Sequence, residues 1–382
     1  MYSLRGYGEM ITDGVRTHAY VRALRKSIKP GSVVLDIGTG TGIFALLACR
    51  FGARRVYAID PSNAIHTARE IAAANGCAAL IEFHQAISTE VTLPELADVI
   101  VSDLHGILPL YQHHLPAIAD ARRRMLAPGG VLIPLRDTLW LACVEAEDLY
   151  RDVTTPWCEN KYGLDMQAAR RLVANQWRRC SLKSEQVLTE PQCCGTIDYA
   201  ARDNPDFNSE VMSVAKRAGT AHGLCVWFDA TLAEGIHFSN APNSPELIYG
   251  KAFFPWPKPV TLDVGDAVKV ILRANLIGED YLWRWETRIL GRGDSSQVKG
   301  HFKQSDFFGE QVSPSALRRQ AASHVPALNE EGEIDCLILK MMRDATLLGD
   351  IARQLASLYP GKFARWQDAL TRVGTLSSKY SR

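Results

Sequence analysis

GSVVLDIGTGTGIFALLACRFGARRVYAID, residues 31–60, decides the fold of this chain. The apolar, β-branched run Val33–Ile37 predicts a short buried strand of a parallel sheet. A glycine-rich turn, Gly38–Gly42, leads into a segment with helical periodicity that ends at Gly52, and the next apolar run closes at Asp60. A strand, a glycine turn, a helix, a strand and an acid in this order predict a nucleotide-binding βαβ unit.

The glycine turn has the form G-x-G-x-G, which differs from the G-x-G-x-x-G of dinucleotide-binding folds. With an aspartate before it and Asp60 after it, the turn resembles that of the class I S-adenosylmethionine (SAM) methyltransferases. The resemblance implies a Rossmann-like α/β domain, SAM as cofactor, and hydrogen bonds from the ribose hydroxyls to Asp60. ADVIVSDL (97–104) and RRRMLAPGGVLIP (122–134) fit the fourth strand and the helix, turn and fifth strand of that fold. The implied cofactor-binding residues in this region are Asp36, Gly38, Thr39, Gly40 and Asp60.

Segments on both sides of this region indicate which family of methyltransferases the chain resembles. GEMITDGVRTHAYVRAL (8–24) resembles the E-M-L-x-D-x-V-R-T-x-x-Y segment that folds over the cofactor in protein arginine methyltransferases. In that family the arginine holds the SAM carboxylate with its bidentate fork and the methionine lines the methyl-donor end, which implies these roles for Arg16 and Met10. WCENKYGLDM (157–166) resembles the start of the family's dimerisation arm, and alternating segments within 221–272 resemble its β-barrel.

The resemblance covers residues 7–300 in consistent order and implies a SAM-dependent methyltransferase built from several parts. A SAM-binding domain with its cofactor-covering helix is expected at 1–135. A β-barrel substrate domain is expected at 136–312, with a dimerisation arm at about 157–190 that implies a homodimer. A small helical or winged-helix module is expected at 330–382.

The catalytic loop departs from the family pattern. The family motif is S-E-W-M-G followed further on by Y-E, and its two glutamates grip a guanidinium and orient the nitrogen toward the methyl group. Here SDLHGILPLYQ (102–112) puts Asp103 at the first glutamate and Gln112 at the second. The barrel segment Leu247–Gly250 also lacks the histidine of the family's T-H-W motif. With one carboxylate left, the attraction for guanidinium should weaken by an amount on the order of several kcal/mol.

Three explanations follow from this loss of charge. In the first, the enzyme methylates a less demanding acceptor, with nitrogen of a peptide or small molecule favoured and Asp103 as the proton acceptor. In the second, the protein binds SAM but is a catalytically inactive scaffold. In the third, it is an arginine methyltransferase with an altered guanidinium site that histidines of the loop complete.

The histidines of the loop and the adenine end leave alternatives open. His105 replaces the methionine of S-E-W-M-G beside the reacting centre and is a candidate catalytic residue, whereas His113 and His114 fit surface positions at a helix start. The family places an acidic residue after the third strand to accept from the adenine amino group. Thr89 stands at the matching position and Glu90 follows it, so both are candidates. None of these spacings is typical of a metal site, and SAM transfer needs no metal.

Composition excludes several function classes. Of 382 residues, 47% are hydrophobic and 22% charged, with a net charge of +1, which gives no electrostatic reason to expect nucleic acid or a membrane surface as partner. No apolar run approaches the roughly 20 residues of a membrane-spanning helix, and the first residues lack the apolar core of a signal peptide. We therefore expect a cytoplasmic protein.

The C-terminal segment adds a possible partner site. Residues 310–333 are polar and predict a linker, after which Ile334, Leu337, Ile338 and Met341 follow helical spacing. Thr346 fits the N-cap of a second helix, and a third is expected at about 363–373. The segment around the second helix faintly resembles small peptide-binding modules of peptide-modifying enzymes. This resemblance implies a leader peptide or a protein as partner, and the alternative is a plain helical cap or dimer element.

Overall fold

The chain forms two compact units that are separated in sequence after Glu310 in the computed structural model, which describes residues 3–159, 162–311 and 313–381. Within these ranges no helix is both long and apolar enough to cross a bilayer. The first unit combines a parallel sheet with an antiparallel half, and the sheets change between Ile133 and Arg136. The first strand of the antiparallel half thus begins at Arg136.

Five parallel strands form the sheet of the cofactor half, in the order β3-β2-β1-β4-β5. All residues of the central strand are buried, as its apolar run predicted. The strands are β1 (Val33–Ile37), β2 (Arg55–Ile59), β3 (Ile81–His84), β4 (Ala97–Ser102) and β5 (Leu126–Ile133). The helices of this half are α1 (Leu4–Thr12), α2 (Gly14–Ser27), α3 (Ile43–Arg50), α4 (Ala64–Ala74) and α5 (His114–Arg124).

The carboxyl ends of β1, β2 and β4 meet at one edge of this sheet. Ile37 pairs in register with Ile59 on one side and with Ser102 on the other. The glycine turn, Asp60 and the loop after β4 therefore start side by side. In doubly wound sheets ligands bind at this point, where the strand order reverses.

Two antiparallel sheets form the other half of the first unit, as the barrel prediction requires. One has the order β7-β12-β10-β6-β8 with β11 paired to β10, and the other has the order β15-β14-β13-β9. Buried and exposed residues alternate along β14, the pattern of a strand with one face in a core. The strands are β6 (Arg136–Val144), β7 (Arg178–Cys180), β8 (Gln192–Asp198), β9 (Phe207–Val214), β10 (Gly219–Ala233), β11 (Ile236–Ser239), β12 (Lys251–Leu262), β13 (Ala267–Ile277), β14 (Asp280–Gly291) and β15 (Asp294–Ser305).

The segment expected to be a dimerisation arm, about 157–190, begins at the end of α6 (Glu147–Cys158) and contains α7 (Gln167–Val173). Residues 160 and 161 of the WCENKYGLDM motif lie outside the described residues. Tyr162 and Leu164, which follow them, are large apolar side chains with 83% and 61% of their surface exposed.

The second unit has a hydrophobic core of its own around Ile334, Ile338, Ile351, Leu355 and Val373. Its helices are α8 (Pro314–Gln320), α9 (Glu330–Arg343), α10 (Leu348–Leu358) and α11 (Trp366–Tyr380). The described residues 313–381 contain no strand, so they form a helical module without the wing of a winged helix.

Three details of this unit differ from expectation. The segment predicted as a plain linker holds α8 and the start of α9. The N-cap of α10 is Leu347, not Thr346, because the backbone first turns helical after Leu347. The last helix begins later and runs further than predicted, since Pro360 and Gly361 are followed by further irregular chain before Trp366.

Candidate functional site

The two acids of the βαβ unit hold the glycine turn from opposite sides. Asp60, after β2, accepts a hydrogen bond from the backbone N–H of Gly40 at 2.8 Å and another from Ser62 at 2.8 Å. Asp36, within β1, accepts from the hydroxyl of Thr39 at 2.6 Å and from the N–H of Ala45 at 3.0 Å. Each carboxylate oxygen has two lone pairs, so Asp60 retains capacity for the ribose hydroxyls proposed from the sequence.

The groove at this turn suits a ligand that carries hydrogen-bond donors. Oδ1 of Asp36 is buried and lacks a hydrogen-bond partner among the described residues, and burial raises the pKa of this carboxyl to about 7 despite its hydrogen bonds. Gly38 and Gly40 have positive φ angles of 75° and 53°, and a β-carbon at either position would collide with a neighbouring side chain. The acidic acceptors and the close backbone approach fit the ammonium group and ribose of SAM.

The N-terminal helices place Arg16 inside the site rather than on its surface. Arg16 has 4% of its surface exposed, and its Nη1 donates to the backbone oxygen of Met10 at 3.1 Å. Met10, the second residue of this N-terminal segment that was predicted to contact the cofactor, thus lies beside Arg16. The guanidinium also lies over the rings of Tyr20 and Phe44, at 5.4 and 5.5 Å from their centroids. Such stacking is typical of a desolvated arginine.

Asp103 lies at the centre of a set of donors. Its Oδ2 accepts from Nε of Arg16 at 2.6 Å and also pairs with Nη2 of the same guanidinium. Its Oδ1 accepts from the hydroxyl of Tyr249 at 2.7 Å and faces Nδ1 of His105 at 2.8 Å. A carboxylate offers about four lone-pair positions, and here the protein itself fills all of them.

These contacts keep Asp103 ionised. Burial raises the pKa of the carboxyl, but the charges of Arg16 and His105 and the hydrogen bonds from His105 and Tyr249 hold the pKa of Asp103 well below its ordinary value. The same ion pair raises the pKa of Arg16 even though burial lowers it. The side chain of Asp103 is 7% exposed, so a small part of it remains open to a ligand.

His105 connects Asp103 to the antiparallel half. Its Nε2 lies 2.7 Å from Oδ2 of Asp137 on β6, and the hydroxyl of Tyr199, just after β8, donates to the same oxygen. The side chains of His105 and Asp137 are completely buried. His105 was a candidate for direct contact with substrate, but the structure encloses it behind Asp103.

Of the remaining candidate residues in this loop, Gln112 and His113 are exposed and His114 is buried beside His105. Gln112 is exposed, has a positive φ of 42°, and its backbone N–H faces Oδ1 of Asp280 at 3.5 Å. Gln112 is thus exposed whereas the side chain of Asp103 is buried, and the side-chain partners of Asp103 among the described residues are Arg16, His105 and Tyr249. His113 is exposed near Glu279, at 3.2 Å, as expected for a surface position. His114 is 2% exposed, which corrects the surface position predicted for it, because the first turn of α5 packs against His105 and Tyr199.

The two adenine-end candidates lie on a short 3-10 turn after β3. Thr89 and Glu90 are both exposed, and the geometry does not choose between them. The turn is held from α5 by Arg124, whose guanidinium donates to the backbone oxygens of Ser88, Thr89 and Val91 at 3.2, 3.3 and 2.9 Å.

Sequence reasoning missed three residues of the site: Asp137, Tyr199 and Tyr249. Tyr249 was noted only for the absence of histidine in Leu247–Gly250. The signal for Asp137 was an aspartate in RDTLWLACV, an otherwise mostly apolar strand, where a buried charge requires a partner. Nothing in the local pattern marks Tyr199.

Comparisons with known proteins agree with both halves of the first unit. The family model described as Ribosomal protein L11 methyltransferase (PrmA) matches residues 15–133. The model described as Arginine methyltransferase oligomerization subdomain matches residues 136–315.

Curated relatives are named as arginine methyltransferases. Probable protein arginine N-methyltransferase 6 of Arabidopsis thaliana is 34% identical over 253 residues, which are 62% of this chain and 55% of that protein. Protein arginine N-methyltransferase 1 of Schizosaccharomyces pombe is 30% identical over 272 residues, 68% of this chain and 79% of that protein. The chain thus spans about half the length of the Arabidopsis relative.

Solved structures share the fold. The Trypanosoma brucei PRMT1 enzyme-prozyme heterotetrameric complex with AdoHcy superposes with a TM-score of 0.72 at 24% identity, covering 78% of this chain and 96% of that one. Arabidopsis thaliana protein arginine methyltransferase 10, in an open conformation, gives a TM-score of 0.69 at 23% identity, covering 79% and 97%.

Proposed function

Because the chain belongs to the protein arginine methyltransferase family, we propose that it is a SAM-dependent methyltransferase whose acceptor is a nitrogen of a peptide or small molecule other than a standard protein arginine. One observation carries the second part of this proposal. The site holds a single carboxylate at the family's two glutamate positions, and the protein's own donors surround it.

The charges of the site argue against a guanidinium acceptor. Asp103 and Asp137 are balanced by Arg16 and by a protonated His105, so the buried cluster has no net negative charge to offer a cation. His113 is exposed and His114 is kept neutral, because burial and the charge of His105 lower its pKa far below the ordinary value. No histidine of the loop therefore replaces the missing glutamate.

A neutral amine or imidazole places smaller demands on this site. SAM supplies the methyl group as an electrophilic sulfonium. The cofactor would be held by Arg16 and Met10 at its amino-acid end and by Asp36, Asp60 and the glycine turn along its length, in keeping with the donors and acceptors found there. Asp103 would accept a hydrogen bond from the acceptor nitrogen, orient it and stabilise the positive charge that develops on it, and because its pKa is held well below the ordinary value, the released proton would pass to solvent.

The ion pair between Arg16 and Asp103 determines which oxygen of Asp103 becomes available to the methyl acceptor. Each of the four acceptor positions of Asp103 is filled, so a substrate donor must displace one of them. The Arg16 contacts to Oδ2 are the ones that a competing carboxylate would draw away, since an arginine fork pairs bidentately with carboxylates. Oδ2 is therefore the oxygen that we assign to the acceptor.

The filled acceptor positions also favour a second candidate, a SAM-binding scaffold without activity of its own. Such a protein would keep the cofactor groove and work beside an active partner. The Trypanosoma neighbour is described as an enzyme–prozyme complex, which gives a precedent for such pairing in another protein of this fold.

Labelled SAM separates these functions. The protein is incubated with methyl-labelled SAM and, in parallel, with an arginine-rich peptide, with a fraction of small molecules and peptides from its source cells, or alone. Label in the second acceptor set and not in the arginine peptide is expected. Label in the arginine peptide would support an altered guanidinium site, and SAM binding without any transfer would support the scaffold.

Two features bear on partners. The exposed apolar residues of the arm, Tyr162 and Leu164, support association with a second copy of the chain. The helical second unit supports recruitment of a peptide leader or protein, because tethering a substrate raises its effective concentration near a site with weak affinity. A plain helical cap remains the alternative for this unit.

A further inference from the structure

His105 stands between two carboxylates at a point where a neutral side chain would be mismatched. Its Nδ1 lies 2.8 Å from Oδ1 of Asp103 and its Nε2 lies 2.7 Å from Oδ2 of Asp137. A neutral imidazole has one N–H and one acceptor nitrogen, so only the imidazolium donates to both carboxylates. Asp137 also accepts from the hydroxyl of Tyr199 at the same oxygen.

We propose that His105 is a positioning residue for the methyl transfer: its imidazolium ties Asp103 to Asp137 of the barrel and thereby fixes the oxygen that meets the acceptor. The catalytic part of this inference rests on the function proposed above, whereas the charge state of His105 does not. His105, which stands where the family motif has a methionine, would thus have a role in catalysis.

The surroundings of the ring fit a fixed imidazolium. Phe228 of β10 stacks on it, with centroids 5.2 Å apart and an angle of 7° between the planes. The rings of His114 and Tyr249 meet it edge-on at 5.2 and 5.7 Å. These rings leave its side chain completely buried. The ring is therefore shielded from bulk solvent and packed on several sides between the two carboxylates.

Several titratable groups face this cluster from the elements packed around it. α2 contributes a cation and a phenol, the loop after β4 an aspartate, α5 a neutral histidine, β6 an aspartate, and the segments after β8 and before β12 one phenol each. In chain order they are Arg16, Tyr20, Asp103, His114, Asp137, Tyr199 and Tyr249. Although burial lowers it, the charge of Asp137 and the hydrogen bonds to both carboxylates raise the pKa of His105 to about 10.

The division of donors between the two oxygens of Asp103 gives His105 its proposed effect. Arg16 contacts Oδ2, while His105 and Tyr249 contact Oδ1. If the guanidinium of Arg16 turns to the carboxylate of the cofactor, His105 and Tyr249 still hold Oδ1 of Asp103. The plane of the Asp103 carboxylate therefore keeps its direction. Without His105, one hydrogen bond from Tyr249 would remain at Oδ1, and the carboxylate could rotate.

The charge state is tested first, on the intact protein without substrate. Nuclear magnetic resonance of ¹⁵N-labelled histidine side chains identifies His105 by the signal missing from His105→Gln. At about pH 8.5, between the ordinary histidine pKa of about 6.5 and the raised one, wild-type His105 is expected to show two N–H nitrogens. In Asp137→Asn this signal is expected to become that of a neutral ring. A neutral His105 in the wild-type protein at this pH would overturn the proposal.

Kinetics test the positioning role. His105→Gln is expected to lower kcat by about 100-fold while KM for SAM stays within about threefold, because the carboxylate is misdirected but the cofactor groove is unchanged. Asp137→Asn, which preserves shape and an acceptor oxygen, is expected to move the loss of kcat at alkaline pH to a lower pH. His113→Gln, an exposed histidine of the same loop, is the control and is expected to match the wild type.

The outcomes separate this inference from the proposed function. Unchanged kcat and an unchanged pH profile in both variants would remove the positioning role, even if the histidine signal behaves as expected. A wild-type protein without any methyl transfer would contradict the proposed function, and the imidazolium between the two carboxylates would then be judged by the resonance experiment alone.

Discussion

Arg16 and Asp103 form a buried ion pair that joins α2 to the loop after β4. Their side chains are 5% and 7% exposed, and Nε lies 2.6 Å from Oδ2. The residue assigned to the cofactor carboxylate and the residue assigned to the acceptor thus share one set of hydrogen bonds. Changes at either end of this pair should separate cofactor binding from methyl transfer.

Replacing Asp103 by asparagine is expected to lower methyl transfer by at least about 100-fold, because the charge that orients the acceptor nitrogen and stabilises the transition state is lost. SAM affinity is expected to stay within about threefold, a change of less than 1 kcal/mol. Asparagine is preferable to alanine, which would leave Arg16 and His105 buried beside an empty space. Turnover with labelled SAM and titration calorimetry measure the two effects. An unaltered rate would exclude Asp103 from the mechanism.

Replacing Arg16 by alanine is expected to weaken SAM binding by about 10- to 100-fold, the equivalent of losing charged hydrogen bonds of about 1.5–3 kcal/mol. Arg16→Lys keeps the charge without the fork and should fall between the two proteins. Arg22→Ala, at an exposed position of the same helix, serves as the matched control. Calorimetry that finds wild-type affinity in Arg16→Ala would contradict the cofactor role.

Restoring the second family glutamate is not expected to restore arginine methylation. Gln112 is exposed and its backbone turns away at a positive φ of 42°, so the carboxylate of Gln112→Glu would be solvated rather than paired with Asp103. Label transfer to an arginine-rich peptide should stay at the wild-type level. A clear gain in this assay would mean that the loop rearranges when substrate binds, and it would favour the altered guanidinium site.

The sequence predicted the fold of the cofactor half, but it did not predict which residues donate hydrogen bonds to Asp103. The run Val33–Ile37 and its glycine turn are local signals, and both take the predicted form. The donors of Asp103 come from distant parts of the chain: Arg16 precedes it by 87 positions and Tyr249 follows it by 146. Such contacts depend on how the barrel packs on the parallel sheet, which no local pattern encodes.

The orientation of Gln112 was beyond prediction for a different reason. Its position in the motif indicated a place beside Asp103, but a side chain follows its backbone, and the positive φ there is rare for a residue other than glycine. The match to the family motif thus did not give the direction of this side chain.

The stability of the protein should decline at alkaline pH through His105. Its pKa is about 10 in the folded chain and about 6.5 when unfolded, so the folded state holds the proton more tightly. This contribution is complete below about pH 6.5 and is lost as the pH rises through about 10. Thermal unfolding of wild type and His105→Gln between these limits should show a steeper decline for the wild type. Parallel curves would contradict a raised pKa.

Removing the second unit should leave the first one folded, because each has its own hydrophobic core. A chain that ends near residue 311 is expected to bind SAM as before and to methylate its natural substrate more slowly, through a higher KM, if the unit recruits that substrate. SAM titration serves as the control for folding. Full activity on the natural substrate would refute recruitment and support the plain helical cap.

Leu104, in the loop that carries Asp103, lies against Gly38 of the glycine turn, and this contact limits which residues can replace Gly38. Its side chain occupies the space that a β-carbon on Gly38 would need, and it lies between Asp103 and His105 in the chain. An alanine at position 38 would therefore press on the loop after β4. It would also be strained by the positive φ of 75°, so a smaller residue at 104 should relieve the clash but not the strain, and position 38 should keep glycine whatever residue stands at 104.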